Sequence, residues 1–258
     1  MTDKIPIIGV DLGQQRDYTA ISIIEREHVR AGPMYNDEYY HGGEWTFGAR
    51  QPVRLEYRVR HLERPALGMP YPEQVARIIE LVKAVGGKIA LVVDATGVGL
   101  PVTDMLWATL RREIEGTDIQ ITPCNVTITG GDSVTRTEGG MRVPKRDLIS
   151  APLVLMQNAQ LKIAEGLRLR ETLVKELLNF RVKINISTAH DSYEAWREGD
   201  HDDLVLSVAL ACWAGERYMR KLESVPKPGH IATELPTNIA ASTGLGLDGG
   251  GAGSSNAG

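Results

Sequence analysis

Two short apolar runs each end on an aspartate followed by a glycine turn, and this repeated arrangement limits the folds open to the chain. Residues 5–12, IPIIGVDL, place Asp11 at the end of a buried strand, just ahead of Gly13. Residues 88–95, KIALVVDA, place Asp94 equivalently, ahead of the turn TGVG. A short continuous apolar run is the pattern of a strand covered on both faces, as in a sheet flanked by helices. If these two strands are neighbours, their aspartates meet.

The surrounding pattern extends that sheet. Residues 18–26, YTAISIIER, read as a second strand after a turn at GQQRD. Residues 30–50, rich in Gly, Tyr and His and without a period, predict a long loop. Over 53–62 the residues alternate, with Val53, Leu55, Tyr57 and Val59 on one face and Arg54, Glu56, Arg58 and Arg60 on the other, which is a half-buried strand. Pro72 opens a helix with Val75, Ile78, Ile79, Val82 and Val85 at helical spacing, and Gly86–Gly87 ends it. A helix over about 101–114 and a strand over 118–126 follow. A glycine-punctuated stretch, 129–140, then leads through MRVPKRDL into a long helix over 146–165. A helical stretch from Glu171 to Leu178, a candidate strand over 180–187 and a last helix over 202–220 complete the pattern.

Successive early strands suit an antiparallel meander, while strands reached through helices lie parallel. The predicted fold is α/β: a mixed central sheet, its first three strands antiparallel and the later ones parallel, flanked by helices, with the first strand central. Residues 1–222 make the folded domain. Residues 223–258 turn to proline and then glycine, ending in GLGLDGGGAGSSNAG, and are expected to be a flexible tail because they offer little apolar area to offset ordering.

Composition narrows the class. Of 258 residues, 42% are hydrophobic and 24% charged, as in an ordinary soluble domain. No apolar run approaches the roughly 20 residues of a membrane-spanning helix, and no secretory signal pattern precedes the first strand. Cys124 and Cys212 lie far apart without CxxC spacing, which argues against a disulfide framework or a zinc site and suits a reducing interior. The net charge of -4 neither marks a nucleic-acid binder nor excludes one, since binding depends on where the basic groups cluster.

A third carboxylate position is His201-Asp202-Asp203, at the start of the strongly apolar stretch LVLSVALACWA. That helix must pack on the sheet, which holds its first turn near a sheet edge. Taken singly, each aspartate has an ordinary role, since Asp favours strand-ending turns and helix N-caps. Together they are harder to dismiss. Clustered carboxylates repel one another, and divalent cations relieve that repulsion. Oxygen ligands without cysteine favour magnesium or manganese. No Ser-His-Asp or Cys-His arrangement is convincing, and His201 suits a capping role better than one on a water.

The segments GVDLGQQRDYTA, LVVDATGVGLPVTDML, VPKRDLI and HDDLVLSVALA resemble, in order, the nuclease domain of bacteriophage terminase large subunits, over about residues 5–220. The Holliday-junction resolvases are more distant relatives with the same ribonuclease H-like fold. The resemblance implies an endonuclease that cuts concatemeric double-stranded viral DNA during packaging. It implies Asp11, Asp94 and Asp203 as principal ligands of two Mg2+ or Mn2+ ions, with Asp202 assisting, since either aspartate of the pair could point inward, and Asp17 at a further acidic position. Two such ions, roughly 3.5–4 Å apart, activate the attacking water and stabilise the leaving oxygen. The implied partners are a packaging ATPase, the portal or a small terminase subunit, with no membrane. The implied setting is the cytoplasm of an infected or lysogenic bacterium.

Basic residues suggest phosphate contacts. Lys145 and Arg146 sit at a loop-to-helix junction, where backbone N–H groups also point outward, and Arg16 lies in the turn after the first strand. Arg58, with Arg54 and Arg60, could line DNA, although such a face is usually solvated. The sequence departs from a complete large subunit in having no GxxxxGK[ST] loop, and DATGVGLP lacks the lysine and hydroxyl that a phosphate loop uses. An excised domain, a separate nuclease subunit and a stand-alone nuclease all remain open. Two rivals stand beside this reading. An actin-like ATP-dependent kinase also opens with a DLG strand, and ATP-dependent phosphorylation would mark it. A non-catalytic docking module would carry an acidic site that fails to bind metal.

Overall fold

The computed structural model describes residues 4–13, 17–41, 44–97, 99–179 and 202–219. β1 (Ile5–Asp11) and β2 (Ala20–Arg30) form an antiparallel pair. β3 (Tyr35–His41) and β4 (Glu44–Arg50) form a separate two-stranded antiparallel sheet, and β5 (Val53–Glu63) returns alongside β2. α1 (Tyr71–Val85) leads to β6 (Lys88–Asp94), α2 (Gly99–Ile114) to β7 (Gln120–Thr129). β8 (Thr135–Thr137) and β9 (Gly140–Pro144) make a short hairpin before α3 (Lys145–Gln157). β10 (Leu161–Ile163), α4 (Arg170–Asn179) and α5 (Asp203–Trp213) follow, and α5 runs into a π-helical turn over Ala214–Met219.

The main sheet has the order β10-β5-β2-β1-β6-β7-β9-β8. β1 is interior, antiparallel to β2 and parallel to β6, and β6 is parallel to β7. This is the mixed α/β arrangement expected from the sequence: an antiparallel meander joined to parallel strands, with helices on both faces. One face packs Ile8, Val10, Leu91 and Val93 against α1 and α2. The other packs Ile7, Ala90 and Val92 against α3, α4 and α5. No helix among the described residues is long and apolar enough to cross a membrane.

α5 is buried at every residue from Asp203 to Trp213. It lies on β1, β2 and β6 with α3 and α4 against it. Its leucines and valines each contribute roughly 1.5–3 kcal/mol relative to exposure, which makes this helix a principal source of core energy. The approach to β1 is so close that a Cβ on Gly9 would meet Ser207 O at 2.1 Å and Ala211 Cβ at 3.1 Å.

Two sequence expectations are corrected, and two further stretches gain detail. The stretch 30–50 is not a long loop: most of it belongs to β3 and β4, whose ladder is built from backbone groups and needs no alternating apolar face. The helix expected over 146–165 ends at Gln157, where Ala159 takes a positive φ of 51° and turns the chain into β10 beside β5. The glycine-punctuated stretch before MRVP contributes β8, and MRVP itself is strand β9. The last helix changes hydrogen-bond pattern at Ala214, where Gly215 passes against the Tyr57 ring and Glu216 accepts a 2.7 Å bond from the Tyr57 hydroxyl. The candidate strand over 180–187 and the tail over 223–258 lie outside the described residues.

Candidate metal and nucleic-acid site

Strand register brings the first two aspartates together. Val10 pairs with Val93 across parallel β1 and β6, and Asp11 and Asp94 are the next residues on each strand. Side chains alternate along a strand, so both aspartates fall on the face of Ile7, Ala90 and Val92, the face that α5 covers. The third aspartate arrives from that helix. Asp203 is the first residue of α5, one turn before Ser207, which rests on Gly9. Asp11, Asp94 and Asp203 are thus gathered at one end of the sheet, with only 9%, 7% and 7% of their surface exposed.

Local bonds hold the two strand ends. Asp94 Oδ1 accepts the Thr96 N–H at 2.7 Å, and Thr96 Oγ1 accepts the Ile128 N–H at 2.7 Å, tying the turn to β7. The turn after β1 is tighter. Gly13 N–H donates to Thr19 Oγ1 at 3.0 Å, and the Thr19 hydroxyl donates to Gln74 Oε1 at 2.7 Å. A Cβ on Gly13 would collide with the Asp17 and Tyr18 backbone.

Charge couples these groups. Burial pushes the Asp11 carboxyl well above its ordinary value; Asp94, Asp203 and Asp202 add to the rise, and Lys145 opposes it. Burial likewise raises Asp202, against the pull of Lys145, and the negative charge of Asp17 adds to the rise. Lys145 Nζ stands 3.7 Å from Asp202 Oδ2. Lys145 is therefore a cation of the cluster, and Asp17, exposed in the turn before β2, lies at its rim. Asp202 occupies the N-cap position of α5 without a side-chain capping bond.

Two residues that sequence reading passed over belong to the same place. Arg64, just beyond β5, reaches Glu176 on α4 and lies 3.4 Å from Asp203 Oδ2. Glu176 Oε2 accepts the Val205 N–H at 3.3 Å, in the first turn of α5. Burial raises the Glu176 carboxyl; Arg64 and the Val205 N–H draw it down, and Asp202 pushes it up.

The donor set fits a hard divalent cation in kind, because carboxylate oxygens that raise one another's proton affinity are relieved by a cation. Among the described residues no three His, Cys, Asp or Glu groups are drawn close enough to clasp an ion as they stand.

The other sequence candidates are dispersed. Arg146 is exposed and engages Asp132, at 2.9 Å to the carboxylate and 2.8 Å to the carbonyl. Arg58 is not brought to the carboxylates: it bonds Glu27 at 2.6 Å and Glu56 at 3.1 Å, far along β5 from Glu63. Arg16 and His201 lie outside the described residues. A groove of about 570 Å³ between α2, β7 and the β8–β9 hairpin, lined in part by Trp107, Arg111 and Arg136, holds none of the five aspartates.

No family model matches the sequence, and no curated protein does. Two solved structures of the human cytomegalovirus terminase nuclease domain, one soaked with manganese and one also bound to an inhibitor, resemble this chain. Their TM-scores are 0.49 and 0.48 at 10% identity, over 82% and 83% of this chain and 84% and 85% of theirs. Likeness of that degree carries nothing about substrate or metal across to this protein.

Proposed function

We propose that this protein is a divalent-metal-dependent endonuclease that hydrolyses DNA phosphodiester bonds, cutting concatemeric phage DNA during genome packaging. The observation that carries the reading is the convergence of Asp11, Asp94 and Asp203, from two adjacent strand ends and one helix start, into a buried cluster whose charges raise the Asp11 carboxyl. The order of the sequence motifs supports the packaging context, with double-stranded DNA as substrate. A packaging ATPase, the portal or a small terminase subunit would be the partners, in the cytoplasm of the bacterial host.

Asp11, Asp94 and Asp203 would hold Mg2+ or Mn2+, with Asp202 and Asp17 at the rim. The bound ions would supply activation of the attacking water and stabilisation of the leaving oxygen. The protein's own groups do the rest. The Thr96 N–H fixes one oxygen of Asp94, so that carboxylate is oriented before substrate arrives. Lys145, at the start of α3, would meet a phosphate oxygen beside backbone N–H groups of the same helix end. Arg146, the next residue on α3, would extend that contact along the DNA strand, and Arg16, which follows β1 in the sequence, would add to it. Duplex DNA is too broad for an enclosed cavity, so an acidic cluster at the end of the sheet suits it.

A docking module with an inert acidic site is the second reading, favoured because, among the described residues, no three carboxylates of the cluster stand close enough to clasp an ion. One experiment separates the two. Supercoiled plasmid is incubated with the protein, with and without manganese or magnesium, beside Asp94→Asn. Nicking that requires metal and vanishes in the variant supports the nuclease. Absence of cleavage with every metal favours docking.

A further inference from the structure

The guanidinium of Arg64 is divided unequally between two buried carboxylates. Its Nη2 lies 2.5 Å from Glu176 Oε1 and 3.4 Å from Asp203 Oδ2. The three side chains are only 15%, 8% and 10% exposed, so solvent screens these charges weakly. The Tyr18 ring closes a further side of the cation, 5.0 Å from the guanidinium carbon. Glu176 is fixed at its other oxygen too, which accepts the Val205 N–H in the turn that carries Asp203.

We propose that Glu176 is a positioning residue for Asp203: by engaging Arg64 at the shorter distance, it keeps the guanidinium from closing on Asp203 and leaves that carboxylate able to take a divalent cation. The inference rests on the carboxylates being a metal site. Its logic is one of charge. Glu176 and Arg64 cancel. Without Glu176, the positive charge of Arg64 moves to Asp203 and competes with an incoming cation. Without Arg64, Glu176 and Asp203 both stand as anions and attract one. A unit charge a few ångströms from the ion, at the effective dielectric of a partly buried site, changes its affinity by about tenfold or more. A purely structural role has no such sign preference, because loosening the fold weakens binding whichever residue is changed.

The test is calorimetric titration of MnCl2 into the full chain at slightly alkaline pH, which needs no cleavage. Glu176→Gln is expected to weaken Mn2+ binding about tenfold, and Arg64→Gln to tighten it by a similar factor. The double variant restores charge balance and is expected to return close to the wild type, as is Arg64→Lys, which keeps the charge. Should both single variants weaken binding, or neither alter it, the role given to Glu176 is overturned. If the wild type itself takes up no Mn2+, the metal-site reading fails and this inference with it. That outcome is distinct from normal wild-type binding with indifferent variants.

Discussion

Asp11 and Asp94 stand side by side at the ends of adjacent parallel strands, each one residue beyond the paired Val10 and Val93. Their neighbourhood follows from backbone register. Pleat alternation then turns both toward α5, and α5 brings Asp203. An acidic cluster is therefore a consequence of how these three elements pack.

That packing depends on Gly9. A methyl there would press on Ser207 O and Ala211 Cβ, so Gly9→Ala is expected to destabilise the fold by about 1–3 kcal/mol, the cost of overpacking a tight core. On the metal-site reading, the same change is expected to displace the start of α5 and loosen Mn2+ binding. Urea unfolding checks the first effect; an unchanged midpoint would mean that α5 shifts freely.

The raised Asp11 carboxyl sets a pH dependence for the metal-free protein. The folded state holds the Asp11 proton more tightly than the unfolded chain, whose reference value is 3.8. The cost of ionising Asp11 is absent below that value, grows as pH climbs through the folded value, and is constant above it. Asp202 acts with the same sign. Glu63, held down chiefly by Arg77, acts oppositely, its contribution fading as pH falls. The comparison is therefore between wild type and Asp11→Asn in chelator, where the variant is expected to be the more stable at neutral pH and to lose that advantage in acid. Parallel melting curves across pH would contradict it.

Metal removal and carboxylate loss are expected to converge. On the metal-site reading, manganese is expected to raise the melting temperature of the wild type by mass action on the folded state. Asp94→Asn or Asp203→Asn blunts that rise and lowers plasmid nicking by about 10² or more, the scale of losing one group that stabilises transition-state charge. A variant that melts and cuts like the wild type removes its residue from the site.

Lys145→Ala is expected to weaken duplex DNA binding and to reduce the logarithmic salt slope by about 0.9, one phosphate contact. Arg58→Ala serves as the control, since its guanidinium is engaged by Glu27 and Glu56 away from the carboxylates, and its DNA affinity is expected to stay at the wild-type value. Equal losses in the two would point to a diffuse electrostatic effect.

The sheet was legible because its inner strands carry their own signature: IPIIGV and IALVV are apolar without alternation, and each is followed by an aspartate of the acidic cluster. The helix that bears Asp203 was legible for the same reason. What pattern could not reach depends on partners remote in sequence or on backbone pairing alone. Glu176 sits in RETLVKELLN, where a glutamate looks like part of a solvated face, and only Arg64, 112 residues earlier, gives it a buried role. β10 is three residues long and follows a helix ended by Ala159 without a glycine, so no turn signal announces it. Arg58 shows the same limit: alternation places it on the polar face, and only the structure shows its guanidinium engaged by Glu27 across the strands and by Glu56 on its own strand.

The third aspartate rides on the helix that fills the core, and that has a consequence in time. While a ribosome is still extending the chain, β1 and β6 can pair and bring Asp11 beside Asp94, yet Asp203 is missing until α5 has been made and docked. An unfinished polypeptide therefore cannot assemble the full acidic cluster, and whatever the cluster does is withheld until synthesis has passed the last core element.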